Sequence, residues 1–137
     1  MAAVTRDQIA AEMPQSILSA ALDAKRSGQE DLTLLSVMIG NAEIECRAVL
    51  GSTAARLSSD PAQLPFCYVN AVLASVRVKL CQKGGIGKDS KQPYEDSLKD
   101  AIAILQAIAD GRRNLDSAPS APLIVAEPLQ FGEEAGL

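Results

Sequence analysis

The chain has 137 residues, a formal net charge of −4 and no histidine. That length suits one domain. The missing imidazole excludes Ser-His and Cys-His nucleophile pairs and the commonest metal ligand, so any acid–base chemistry would fall to carboxylates or lysine.

Aromatic residues make up 3% of the chain against 47% for all apolar types, so the core must be built from Ala, Leu, Ile and Val. Such cores pack helices closely, and the expected fold is all-α: a small bundle of about five helices over residues 1–116. Residues 117–137 form a Pro/Ala-rich acidic segment that reads as an extended C-terminal arm. Charge is uneven. From Arg77 to Arg113 there are eight basic and five acidic residues, a balance of +3; from Asn114 onward there are four acidic and no basic ones. An acidic chain is a poor nucleic-acid binder, because phosphate affinity comes from clustered Lys and Arg. The basic middle reads either as a seat for an acidic peptide or as the solvated face of a helix pair. No signal-peptide pattern opens the chain, and no apolar run reaches the roughly 18 residues that spanning a membrane requires.

In chain order, Thr5-Arg6-Asp7-Gln8 predicts a capping box and a short helix from Arg6 to about Met13. Pro14 interrupts it and suits the first position of a second helix carrying Ile17, Leu18, Ala21 and Leu22. The polar run Lys25 to Glu30, around Gly28, reads as a loop. Asp31 caps a third helix whose apolar positions Leu35, Ile39, Ala42, Cys46 and Val49 share one face, with Glu43 and Arg47 placed to pair on the surface. Gly51 ends or weakens it. Asp60, Pro61 and Gln63 predict a restart with a capping box, with Pro65 tolerated in the first turn. The fourth helix, up to about Gln82, carries Phe66, Val69, Leu73, Val76 and Leu80, with Tyr68, Val72 and Val78 broadening the stripe. Apolar on nearly all sides, it is expected at the centre of a bundle or at a subunit contact. Arg77, Lys79 and Lys83 gather near its C-terminal end, where the helix dipole favours cations. Lys83 to Gln92 is expected as a loop. Ser90 and Pro93 then open a fifth helix, which presents Tyr94, Leu98, Ala101, Leu105 and Ile108 on one face and stops at Gly111.

No chemical motif is complete. Cys46, Cys67 and Cys81 are odd in number and match no zinc spacing; buried thiols in a reducing compartment is the favoured reading, a reactive nucleophile the other. Gly84-Gly85-Ile86-Gly87-Lys88 imitates a phosphate loop, but Gln82 stands where the first glycine belongs and Asp89 where the hydroxyl belongs, so an inter-helix loop fits better. Glu43 and Glu45 are two apart and do not share a helix face. Asp96 and Asp100 flank Lys99 on a polar face. No cofactor is expected, and no enzymatic activity. In the arm, Leu123, Ile124, Val125, Leu129 and Phe131 are apolar enough to need a partner, either as a strand added to a sheet edge or as a filling for a groove.

Thr5-Arg6-Asp7-Gln8-Ile9, Ala42-Glu43-Ile44-Glu45, the proline-started stretch from Pro61 to Leu80, and Tyr94-Glu95-Asp96-Ser97-Leu98 with Ile108-Ala109-Asp110-Gly111 together resemble the head–tail adaptor (connector) family of phage Mu and Mu-like prophages. A Pro/Ala-rich tail with a late aromatic, here Phe131, is similar too. The resemblance implies a structural virion protein without catalytic activity, made in the bacterial cytoplasm and placed at the neck of a tailed phage. It implies a homo-oligomeric ring, commonly twelvefold, that joins the portal protein to a stopper or tail-completion protein and extends the DNA channel. It also implies that the arm, with Leu123, Ile124, Val125, Leu129 and Phe131 as anchors, reaches the portal. A net negative chain suits a channel that should repel its DNA. The alternative is a small cytoplasmic helical binding or regulatory module with a groove near Arg77, Lys79 and Lys83.

Overall fold

A computed structural model describes residues 3–23 and 25–115, so the arm expected over 117–137 lies outside the described residues. Within them the chain forms five α-helices and two 3-10 turns, and no strand. α1 (Arg6–Ala10) starts on the expected capping box. Thr5 Oγ1 accepts from the Gln8 amide at 3.3 Å, and Gln8 Oε1 accepts from the Thr5 amide at 2.8 Å. α2 (Gln15–Leu22) opens one residue later than expected. Pro14 is its N-cap in extended conformation, not its first helical residue. Ile17, Leu18, Ala21 and Leu22 are all buried. Asp31 caps α3 (Leu32–Leu50), its Oδ1 accepting from the Leu34 amide at 3.0 Å. The buried face of α3 is Leu35, Met38, Ile39, Ala42, Cys46 and Leu50; Val49, expected to complete it, is half-buried, because a 3.6-residue period drifts off a strict three-four step.

Between α3 and α4 the chain departs further from expectation. After Gly51 a 3-10 turn runs from Gly51 to Arg56. Asp60 caps a second one, Pro61–Gln63, through the Ala62 amide at 3.0 Å and not through Gln63. This turn does not continue into α4 (Phe66–Lys83). Leu64 has ψ 140° and Pro65 is the extended N-cap of the new helix. The cause is local: a proline ring pushes the residue before it out of helical conformation, so Pro65 forces Leu64 out of the helix.

α4 buries Cys67, Tyr68, Ala71, Val72, Ala74, Ser75, Val76, Val78, Leu80 and Cys81, residues distributed around the helix rather than along one stripe. It packs against α1, α2, α3 and α5, which is the central place expected of it. The densest arc runs through Tyr68, Val72 and Val76, each 0% exposed, and not through Phe66, Val69 and Leu73. Phe66 is 57% exposed, an outcome opposite to its expected place in the stripe. As the first residue of α4 it has no preceding helical turn to pack on.

α5 (Lys88–Ala109) begins five residues before Pro93, so the expected ten-residue loop contracts to residues 84–87. Two glycine-closed turns make this possible. At the end of α4, Gly85 (φ 67°) lets the Ile86 amide donate to Cys81 O at 3.0 Å. At the end of α5, Gly111 (φ 79°) lets the Arg112 amide donate to Ala107 O at 2.8 Å. Both satisfy last-turn carbonyls that would otherwise lack partners. Pro93 is therefore the sixth residue of α5, where it deletes the amide that Asp89 O would have accepted. Asp89 is exposed, so water can replace the bond. Ala101, Leu105 and Ile108 are buried, Tyr94 and Leu98 are packed on the core at its edge, and Leu115 (1% exposed) seals the end of the bundle.

Polar contacts tie the short N-terminal helices to this core. Arg6 grips Glu30 with two hydrogen bonds, Nε to Oε1 at 2.9 Å and a second guanidinium nitrogen to Oε2 at 2.7 Å. Gln15 joins both, at 2.9 Å to Arg6 and 2.8 Å to Glu30. Hydrogen bonding from Arg6, then from Gln15, holds the Glu30 carboxyl below its ordinary pKa. A depressed carboxyl stabilises the fold above its unfolded pKa and ceases to do so as pH falls through the folded value. Glu30→Gln should therefore cost about 1 kcal/mol at neutral pH, the Arg6 side being a third exposed, and should flatten the acid limb of stability against pH. Chemical denaturation between neutral and acid pH checks both. Pro93→Ala restores the α5 ladder and should stabilise the chain by about 1 kcal/mol, or a few degrees in Tm. If instead Pro93 were the first helical residue, the same change would destabilise it.

Candidate protein-binding surface

Arg77, Lys79 and Lys83 leave α4 in three directions. Arg77 turns to α1, donating from Nε to Ile9 O at 3.2 Å and from a terminal nitrogen to Gln8 O at 2.9 Å. A five-residue helix is too short to hold itself, and this guanidinium satisfies its C-terminal carbonyls. Lys79 turns to α3, pairing with Glu45 Oε2 at 2.8 Å; the other Glu45 oxygen accepts from the buried Ser75 hydroxyl at 3.2 Å. Lys83 is exposed at the mouth of a shallow cleft with Leu22, Asp23 and Lys25. Among the described residues the three side chains engage different neighbours. Two of them bridge α4 to neighbouring helices. Leu123, Ile124, Val125, Leu129 and Phe131, the arm positions expected to bind a partner, lie outside the described residues.

A cleft of about 310 Å³ opens between the turn after α1, α4 and α5, lined by Glu12, Ala74, Arg77, Ser90, Pro93, Tyr94 and Ser97. Its one guanidinium already donates to α1, which leaves little for an incoming anion. The Gly84–Lys88 segment is the closed turn ending α4 and the start of α5. Gly84 lies against α2, where a Cβ would sit 3.2 Å from Ala20 Cβ. That glycine serves close helix packing. Glu43 and Glu45 both reach α4, at different points. Glu43 is 3.5 Å from the Tyr68 hydroxyl and Glu45 holds Ser75 and Lys79. The expected surface pairing of Glu43 with Arg47 is replaced by a shared engagement of Tyr68, whose ring lies 5.6 Å beneath the Arg47 guanidinium.

All three cysteines are buried thiols. Burial first, then Glu45 and Glu43, pushes Cys46 up to about 12; burial also raises Cys81. A thiol held protonated at neutral pH is a poor nucleophile. Burial again, with Glu43 next, pushes Tyr68 up to about 12. Among the described residues no group of three His, Cys, Asp or Glu could hold a metal ion, and no helix is long and apolar enough to cross a membrane.

What distinguishes the surface is apolar exposure. Leu32, Val37, Ile44 and Phe66 are 58%, 54%, 67% and 57% exposed. Val37 and Ile44 are seven apart on α3, on the side opposite Leu35 and Ala42. With Thr33, Gly40, Asn41 and Ala48 they make an outer face whose nearest charge is Arg47, which borders Ile44 and lies over the Tyr68 ring. Sequence reading concentrated on the buried stripe and passed over this second one. The signal was present: two β-branched residues one heptad apart, about 200° from the core positions. A helix apolar on two sides has a second surface to cover.

An aromatic-disulfide reagent should label no cysteine of the native chain within minutes and all three after unfolding in guanidinium. Fast stoichiometric labelling of the native protein would restore the nucleophile reading. No family model, no curated protein and no solved structure matches this chain.

Proposed function

We propose that this chain is a non-catalytic assembly subunit, and that the assembly is the neck of a tailed phage or prophage, where copies form a ring between portal and stopper or tail-completion protein. The observation that carries the assembly reading is the exposure of Leu32, Val37, Ile44 and Phe66 on a bundle whose core is already closed without them. Large apolar side chains that folding does not need are retained at cost to solubility, and protein contacts are the ordinary reason. The phage assignment rests on the resemblance of the Thr5–Ile9, Ala42–Glu45, Pro61–Leu80 and Tyr94–Gly111 segments to Mu-like head–tail adaptors. In a ring each contact is repeated, so weak single interfaces suffice and isolated subunits assemble poorly.

The test is to mix the full-length chain with the candidate portal and image the particles by negative-stain electron microscopy. Added density on the portal's tail-facing end is the expected result. Phe66→Ala, which removes an exposed aromatic without opening a core cavity, should weaken association about tenfold or more while leaving the thermal midpoint unchanged. Portal particles that never acquire the protein would remove the adaptor assignment.

A further inference from the structure

The outer face of α3 has a physical oddity at its centre. Gly40 stands mid-helix, where glycine is unfavourable relative to alanine, yet a Cβ there would meet nothing within 4 Å. Among the described residues, no contact requires its absence. A missing side chain between Val37 and Ile44 leaves a dip flanked by two exposed β-branched residues, with Arg47 at its edge beside Ile44. That shape admits the backbone of another segment at close range.

The chain carries such a segment, and the described body ends where it can reach. Leu115 is buried beside Thr53 and Arg56, in the turn that follows α3 directly. From the end of α3 to Ile44 is about 10 Å along the helix, and to Val37 about 20 Å. The eight residues from Leu115 to Leu123 span up to about 26–29 Å when extended, which covers the distance to Ile44 with chain to spare for the path from Leu115 round the helix. Between Ser117 and Phe131 the only charge is Glu127, and the only charge beside the face is the opposite one, Arg47. Pro119, Pro122 and Pro128 lack amide donors, and the described residues offer no strand edge, so side-chain docking on a helix suits the segment better than strand addition.

We infer that the apolar run of the C-terminal arm, Leu123 to Phe131, occupies the outer face of α3 in its own chain, seated over Gly40 between Val37 and Ile44. The free subunit thereby covers an apolar surface that would otherwise stay exposed before assembly. This goes beyond the assembly reading and does not depend on the identity of the partner.

Limited proteolysis of the isolated full-length chain with thermolysin tests it without any portal. Cleavage within 123–131 reports how often the arm is off the face. Ile44→Glu places a charge on a residue that is already exposed, so the bundle remains folded by circular dichroism, and cleavage of the arm should accelerate about tenfold. Gly40→Ala, which the bare helix accommodates, should accelerate it by a smaller factor. Equal cleavage rates in wild type and Ile44→Glu would overturn the proposal. So would protection that appears only at high protein concentration, which would put the arm on another copy. Neither outcome bears on whether the protein joins a portal.

Discussion

The fold depends on covering α4 on every side. Tyr68, Val72 and Val76 have no exposure, and the ten buried residues of this helix face four others. Burying each large apolar side chain contributes roughly 1.5–3 kcal/mol, so no other helix concentrates so much of the stability. With few aromatics to supply bulk, coverage is achieved by close approach. Small residues such as Ala71 and Ala74 let helices come near, and Gly84 lets α2 press against the end of α4. α1 and α2 are too short to persist alone and exist because α4 offers them a surface.

Polar groups follow from that constraint. Among the described residues Ser75 is the one buried polar residue, and Glu45 satisfies it while pairing with Lys79. Arg77 terminates α1, and the Arg6–Glu30–Gln15 cluster fixes the N-terminal helices to the start of α3. Arg77 and Lys79, two of the three cations that looked like a binding patch in the sequence, are thus engaged in holding helices together, while Lys83 stays exposed. What remains distinctive on the described surface is apolar exposure, where α3 has a second face that the core does not use.

Much of the architecture was legible because its signals are local. The Thr5–Gln8 box, the Asp31 cap and the glycine stop at Gly111 depend on side chains within a few residues, and all formed. Prolines were harder. Pro14 and Pro65 became N-caps and Pro93 a helix-interior residue, because ring geometry restricts but does not fix the position and tertiary packing decides among the options. The rotation of α4 was also obscured. A helix apolar all round gives no internal clue to which arc is deepest, so Phe66 could not be separated from Tyr68 by spacing. The site was less legible still. Sequence proximity grouped Arg77, Lys79 and Lys83, although a helix turns about 100° per residue and points them at different neighbours. The exposed pair Val37 and Ile44 was recognisable only as a second stripe on a helix already assigned one.

Native-state hydrogen exchange tests the central claim most directly, that coverage of α4 organises the rest. The slowest amides should lie in α4 between Tyr68 and Leu80 and should exchange only through global unfolding, with α1 and α2 opening at lower free energy. Amides of α1 or α2 that outlast those of α4 would contradict the account.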